Sequence, residues 1–102
     1  MCAIAGLFGP HGIDTGFADV MARSLAHRGP DAHNVEYFGA DRPYAALGIE
    51  RLAIVDVKQG HQPASDPSGR WWVVLNGEIY NHGELRAELS HLGVTTRTQS
   101  DT

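Results

Sequence analysis

Cysteine is nearly absent. Cys2 is the single one in 102 residues, so no disulfide can close within the chain. Zinc ribbons and fingers, which need several thiolates, are excluded as well. Basic charge is also scarce: eight Lys and Arg stand against twelve Asp and Glu, a formal net charge of −4. Those basic residues are scattered, and clustered cations are what a nucleic-acid partner requires. No apolar run approaches the roughly 18 residues of a membrane helix. The opening MCAIAG has neither the basic start nor the long apolar core of a secretory signal. The expected location is therefore the cytoplasm, with no nucleic-acid or membrane partner. A phosphate-binding loop is missing too, since Gly6, Gly9 and Gly12 lack the GxGxxG spacing and the Walker lysine. Six histidines are present, but no pair has the i, i+4 spacing of a helical metal site, so no metal is expected.

What is present reads as a folded domain: hydrophobic residues make up 42% of the chain, too many for a disordered one. Residues 3–8 form a short apolar run before Gly9-Pro10 and read as a buried strand. Phe17, Val20, Met21 and Leu25 recur with helical period, which predicts a helix with that face inward, capped by Asp14 or Thr15 and ended by Gly29-Pro30. Residues 35–38 and 44–47 flank a turn-rich stretch and predict a hairpin. Branched residues make 52–57 a strand, and 71–75 (WWVVL) another. The two prolines and two glycines of 59–70 make it a loop. A second helix is expected over 82–92, with Asn81 and Glu84 as a capping box and Leu85, Leu89 and Leu92 as its apolar stripe. Gly93 stops it, and 94–98 predicts a last strand. Two helices on a largely antiparallel sheet is an α+β pattern. The chain stops just after that last strand, so a fragment of a larger domain is expected.

Several residues could carry chemistry. Cys2 becomes N-terminal if Met1 is removed, which places a thiol and a free amine on one residue. Alone, such a cysteine reads as a small buried side chain. Asn76 beside the N–H of Gly77 offers two donors for an oxyanion. The dipeptide by itself favours a hairpin turn, but a helical pattern follows it rather than a returning strand. Arg51 has the planar fork that grips a carboxylate, and Glu78 and Asp101 could hold an ammonium group. Each also reads as plain surface charge.

Together these pieces resemble the glutaminase domain of class II glutamine amidotransferases, in the asparagine-synthetase branch. The resemblance rests on six blocks in one order: MCAIAGLF (1–8), HRGPD (27–31), ERLAIVD (50–56), GHQP (60–63), NGEIYN with ELRAEL (76–89), and SDT (100–102). Ala3 departs from the usual Gly or Ser, and Ile49 from a common His or Arg.

The resemblance implies an N-terminal-nucleophile hydrolase fold, an αββα sandwich of antiparallel sheets, incomplete over residues 1–102. It implies Cys2 as nucleophile and Asn76 with Gly77 as oxyanion hole. It further implies Arg51 at the substrate carboxylate, Glu78 and Asp101 at its ammonium, and the backbone of Leu52, Ile54 and Val55 as a wall along it. HRGPD is expected to be structural. The implied reaction converts glutamine to glutamate and ammonia, the amine of Cys2 taking the thiol proton; free thiols titrate near 8.5 and α-amines near about 8. The ammonia would feed an ATP-dependent ligase domain beyond this chain, as in asparagine biosynthesis. No cofactor is expected within the chain; ATP and Mg²⁺ belong to that further domain. The implied partners are L-glutamine, the synthetase domain and a second copy in a full-length homodimer. The alternative is a remnant module that keeps the fold and only binds.

Overall fold

The computed structural model of the chain describes residues 2–52 and 60–102. Its first sheet has three antiparallel strands, β1 (Ala3–Phe8), β2 (Ala32–Phe38) and β3 (Ala45–Arg51), in the order β1-β3-β2. β2 and β3 form the expected hairpin, longer at the far end than the sequence predicts: the pairing runs from Phe38↔Ala45 through Val35↔Gly48 to Ala32↔Arg51. β1 joins the other edge of β3, with Ala3 opposite Glu50 and Phe8 opposite Ala45.

Helix α1 (Thr15–Arg23) covers one face of this sheet. Asp14 caps it, its carboxylate accepting the Phe17 N–H at 3.0 Å. The buried face is only partly the predicted one, with Met21 and Leu25 half-buried at its edge. Ala18 and Ala22 are 3% and 1% exposed, whereas Phe17 and Val20 face outward. The reason is proximity: a Cβ at Gly48 of β3 would lie 2.9 Å from the Cβ of Ala22. So close an approach admits only small side chains. The helix also ends earlier than Gly29-Pro30, giving way to a 3₁₀ turn at Ala26–Arg28. Ala3, Ala18, Ala22 and Ala46 are buried between α1 and this sheet, and Ile49 is buried on the sheet's other face. Ile49 is the one large side chain fully buried among the described residues.

The second sheet is small. β4 (Ala64–Ser65) pairs with β5 (Trp72–Val73). The predicted 59–70 loop thus contains a short strand, and the predicted 71–75 strand shrinks to two residues. Asp66 explains the tight turn between them, its carboxylate accepting the N–H groups of Ser68, Arg70 and Trp71 at 3.1–3.3 Å. Trp72 meets Phe38 edge-on at 5.6 Å between centroids, joining the two sheets.

Helix α2 (His82–His91) forms where expected, but Asn81 makes no side-chain cap and the capping box is not built. Its Leu85, Leu89 and Leu92 are exposed. The predicted strand at 94–98 is absent. Those residues instead bend along α2, held by the guanidinium of Arg86, which donates to the carbonyls of Thr98 and Ser100 at 2.7 and 3.0 Å. Of the predicted 52–57 strand, Leu52 lies just past the end of β3 and 53–57 fall outside the described residues. The architecture is α+β with antiparallel sheets, consistent with an incomplete sandwich of the expected type.

Candidate active site

Strand alternation puts Cys2 and Arg51 on one side of the first sheet. Successive side chains point to opposite faces, and α1 occupies the face of Ala3, Gly48 and Glu50. Cys2 and Arg51, one residue beyond that pairing, therefore point the other way. The sulfur of Cys2 sits at the end of β3, receiving the Leu52 N–H at 3.3 Å and lying 3.5 Å from the Leu52 carbonyl.

Arg51 is buried, and the HRGPD loop sets its backbone. The Asp31 N–H donates to the Arg51 carbonyl at 3.0 Å. Gly29 lies so close that a Cβ there would stand 2.2 Å from the carbonyl oxygen of Glu50 and 2.7 Å from the carbonyl carbon of Arg51. On the α1 side, the neighbouring Glu50 bonds His33 Nδ1, and His33 Nε2 bonds Asp19 at 3.0 Å. Arg23 closes this chain on Asp19 at 2.7 Å. The Arg23 guanidinium first, and His33 second, hold the Asp19 carboxyl below its ordinary value of 3.8. This network braces β3 from behind and stays out of the site.

Past β5 the chain bends at Asn76-Gly77 and enters α2 without returning as a strand, so the hairpin-turn alternative for that dipeptide does not hold. Beyond α2, Asp101 returns to this bend and accepts the Ile79 N–H at 2.8 Å. The result is one cleft of about 370 Å³, lined by Cys2, Arg51, Leu52, Gln62, Leu75, Asn76, Gly77, Glu78, Tyr80 and residues 100–102. Every predicted site residue among the described ones lines it; Ile54 and Val55 lie outside the described residues. The cleft combines a thiol, an amide beside a backbone N–H, one guanidinium and two carboxylates. Such a set complements a zwitterion with a reactive amide. Sequence reasoning assigned no role to Gln62, although it stands in the GHQP block; nor did it single out Leu75, Tyr80, Ser100 or Thr102.

Residues 1–102 match a family described as glutamine amidotransferase domain. The chain belongs to that family. Similar proteins include asparagine synthetase [glutamine-hydrolyzing] 1 of Bacillus subtilis, 38% identical over 107 aligned residues that span 100% of this chain and 16% of that protein. Asparagine synthetase B of Escherichia coli is 39% identical over 94 residues, 86% of this chain and 16% of its own length. A putative asparagine synthetase of Mycobacterium tuberculosis is 41% identical over 98 residues, 87% and 15% respectively. The amidotransferase domain described here thus spans about one sixth of the length of these relatives. Among the described residues no helix is long and apolar enough to cross a membrane.

Proposed function

We propose that this domain hydrolyses L-glutamine to glutamate and ammonia with Cys2 as nucleophile. The observation that carries the reading is the meeting of Cys2, Arg51, Asn76, Gly77, Glu78 and Asp101 in one cleft, although they come from four separate stretches of chain. Membership of the amidotransferase family supports the same substrate.

In this reading Arg51 takes the α-carboxylate through its fork, and Glu78 and Asp101 take the α-ammonium. The side-chain amide then falls beside the sulfur. Removal of Met1 frees the α-amine of Cys2, which accepts the thiol proton as the sulfur attacks the amide carbon. The tetrahedral oxyanion is met by the Asn76 amide and the Gly77 N–H. The protonated amine returns its proton to the leaving nitrogen, and ammonia departs. Water, deprotonated by the same amine, hydrolyses the thioester to glutamate and restores the thiol.

The ammonia would pass to an ATP-dependent synthetase domain, with aspartate as acceptor. The names of the long relatives support that step. ATP and Mg²⁺ would serve that domain rather than the residues of this cleft. The test uses the complete protein. Cys2→Ala abolishes glutamine-dependent synthesis and ammonia release while synthesis from ammonium salts continues. Glutamine hydrolysis surviving in Cys2→Ala would overturn Cys2 as the nucleophile, and no hydrolysis by the wild type would leave a module that only binds.

A further inference from the structure

Gln62 has no part in the chemistry above, yet it is 7% exposed and lines the cleft. Burying an amide is costly unless both of its ends are hydrogen-bonded. Both are. Its Oε1 accepts the Leu75 N–H at 2.7 Å, and its Nε2 donates to the Thr102 hydroxyl at 3.1 Å. The partners belong to different stretches of chain with different neighbours: Leu75 precedes Asn76, and Thr102 follows Asp101. Asp101 in turn holds the N–H of Ile79, three residues past Asn76. The links close a ring: Gln62 to Leu75, along the bend to Ile79, across to Asp101, and through Thr102 back to Gln62.

We infer that Gln62 is a positioning residue for glutamine hydrolysis, its amide setting the spacing between the oxyanion donors at Asn76 and Gly77 and the ammonium acceptor Asp101. The inference rests on reading the cleft as a glutamine site. A glutamine molecule has a bounded reach from its α-ammonium to its side-chain carbonyl. Both ends engage together only if the two segments are held at a matching separation. Without the bridge, each segment keeps its own groups and loses its distance to the other. Misplacements of about 1 Å can cost on the order of a hundredfold in rate.

The test is steady-state glutamine hydrolysis by the complete protein with Gln62→Met, Gln62→Glu and Thr102→Val, each also followed by thermal melting. Gln62→Met keeps the bulk and loses both bonds; kcat falls about ten- to a hundredfold and the KM for glutamine rises. The carboxylate of Gln62→Glu can still accept from the Leu75 N–H and from the Thr102 hydroxyl, so it recovers the larger part of that loss. Thr102→Val cuts only the arm next to Asp101, raising KM with kcat near wild type. A residue that merely stabilised the fold would lower the melting point without this split.

Wild-type kinetics in Gln62→Met, no recovery in Gln62→Glu, or a kcat loss without a KM change in Thr102→Val would overturn the inference. If Gln62→Met does not fold, the other two variants decide. If the wild type shows no glutamine hydrolysis, the proposed function fails on its own, and the ring is judged by calorimetric titration with L-glutamate. Weaker glutamate binding in Thr102→Val supports it; unchanged binding, or none by the wild type, overturns it.

Discussion

In the proposed reading Asn76 and Arg51 meet opposite ends of the substrate, and their kinetics should separate. An oxyanion donor acts where charge develops, so Asn76→Ala should lower glutaminase kcat by roughly a hundredfold or more with little change in KM, a loss of about 2.7–4 kcal/mol. In the proposed reading Arg51 holds a carboxylate remote from the reacting bond, equally well in ground and transition states. Arg51→Ala should chiefly raise KM, and lysine should restore it only in part because the fork is lost. A pure KM effect at Asn76 would sink the division of roles. Gly29 acts on Arg51 indirectly. The carbonyl of Glu50 occupies the space of any Cβ at position 29, and that neighbour is backbone, which cannot swing aside. Gly29→Ala should cost about 1–3 kcal/mol of stability, as overpacking does, and should raise KM by displacing Arg51. Gly83 supplies the control: it lies in α2, and a Cβ there meets nothing within 4 Å. Alanine at 83 should leave KM unchanged and stabilise slightly. Equal KM values for both variants would refute the proposed bracing by Gly29.

At the scale of elements, local signals held where they were local and failed where a neighbour decided. The Asp14 cap and the β2–β3 hairpin depend on adjacent residues, and both form as the sequence predicts. The inward face of α1 departs from the predicted one at Phe17 and Val20, which outweigh alanine on any hydrophobicity scale, while Met21 and Leu25 stay half-buried. Only the facing Gly48 shows that alanine must be innermost, and that pairing is not visible along the helix. The short β5 has a similar cause: the N–H of Leu75 goes to a side chain thirteen residues away instead of to a ladder. The residues that line the cleft were legible through the ordered motifs, whereas the bridge made by Gln62 needed the positions of Leu75 and Thr102. The β4–β5 turn offers a test of its own. Its Asp66 carboxyl is held below the ordinary 3.8, mainly by the Ser68 hydroxyl and then by the Trp71 N–H. A carboxyl lowered on folding contributes stability that is present above 3.8 and lost as pH falls through the lower folded value. The gap in melting midpoint between wild type and Asp66→Ala should therefore be full near neutral pH and close in acid. A gap independent of pH would show that the turn does not depend on the ionised carboxylate.

Over the whole molecule, burial is thin for the chain length. A compact protein of 11.0 kDa exposes about 5,600 Å², while this chain exposes 6982 Å². Its radius of gyration is 14.8 Å, against about 13 Å for a compact domain of this length. The excess has identifiable sources. α1 is seated on all three strands of the first sheet, but α2 has no comparable seat among the described elements. Its leucine stripe is open, as are Trp71 and Tyr80 at 72% and 90% exposure. The buried side chains opposite α1 are mostly alanine, which contributes little apolar area per residue. A 102-residue stretch expressed alone should therefore unfold over a broad temperature range and self-associate through the open stripe, since large exposed apolar patches seek cover. Circular dichroism melts and size-exclusion chromatography at several concentrations check this. A monomer with a sharp cooperative transition above about 50 °C, ordinary for a mesophilic domain, would show that the alanine layer and the polar ring around Gln62 suffice. If the broad melt is observed, Leu85→Glu and Leu92→Glu together should suppress the association without sharpening the transition, because they remove the open stripe and add nothing to the core.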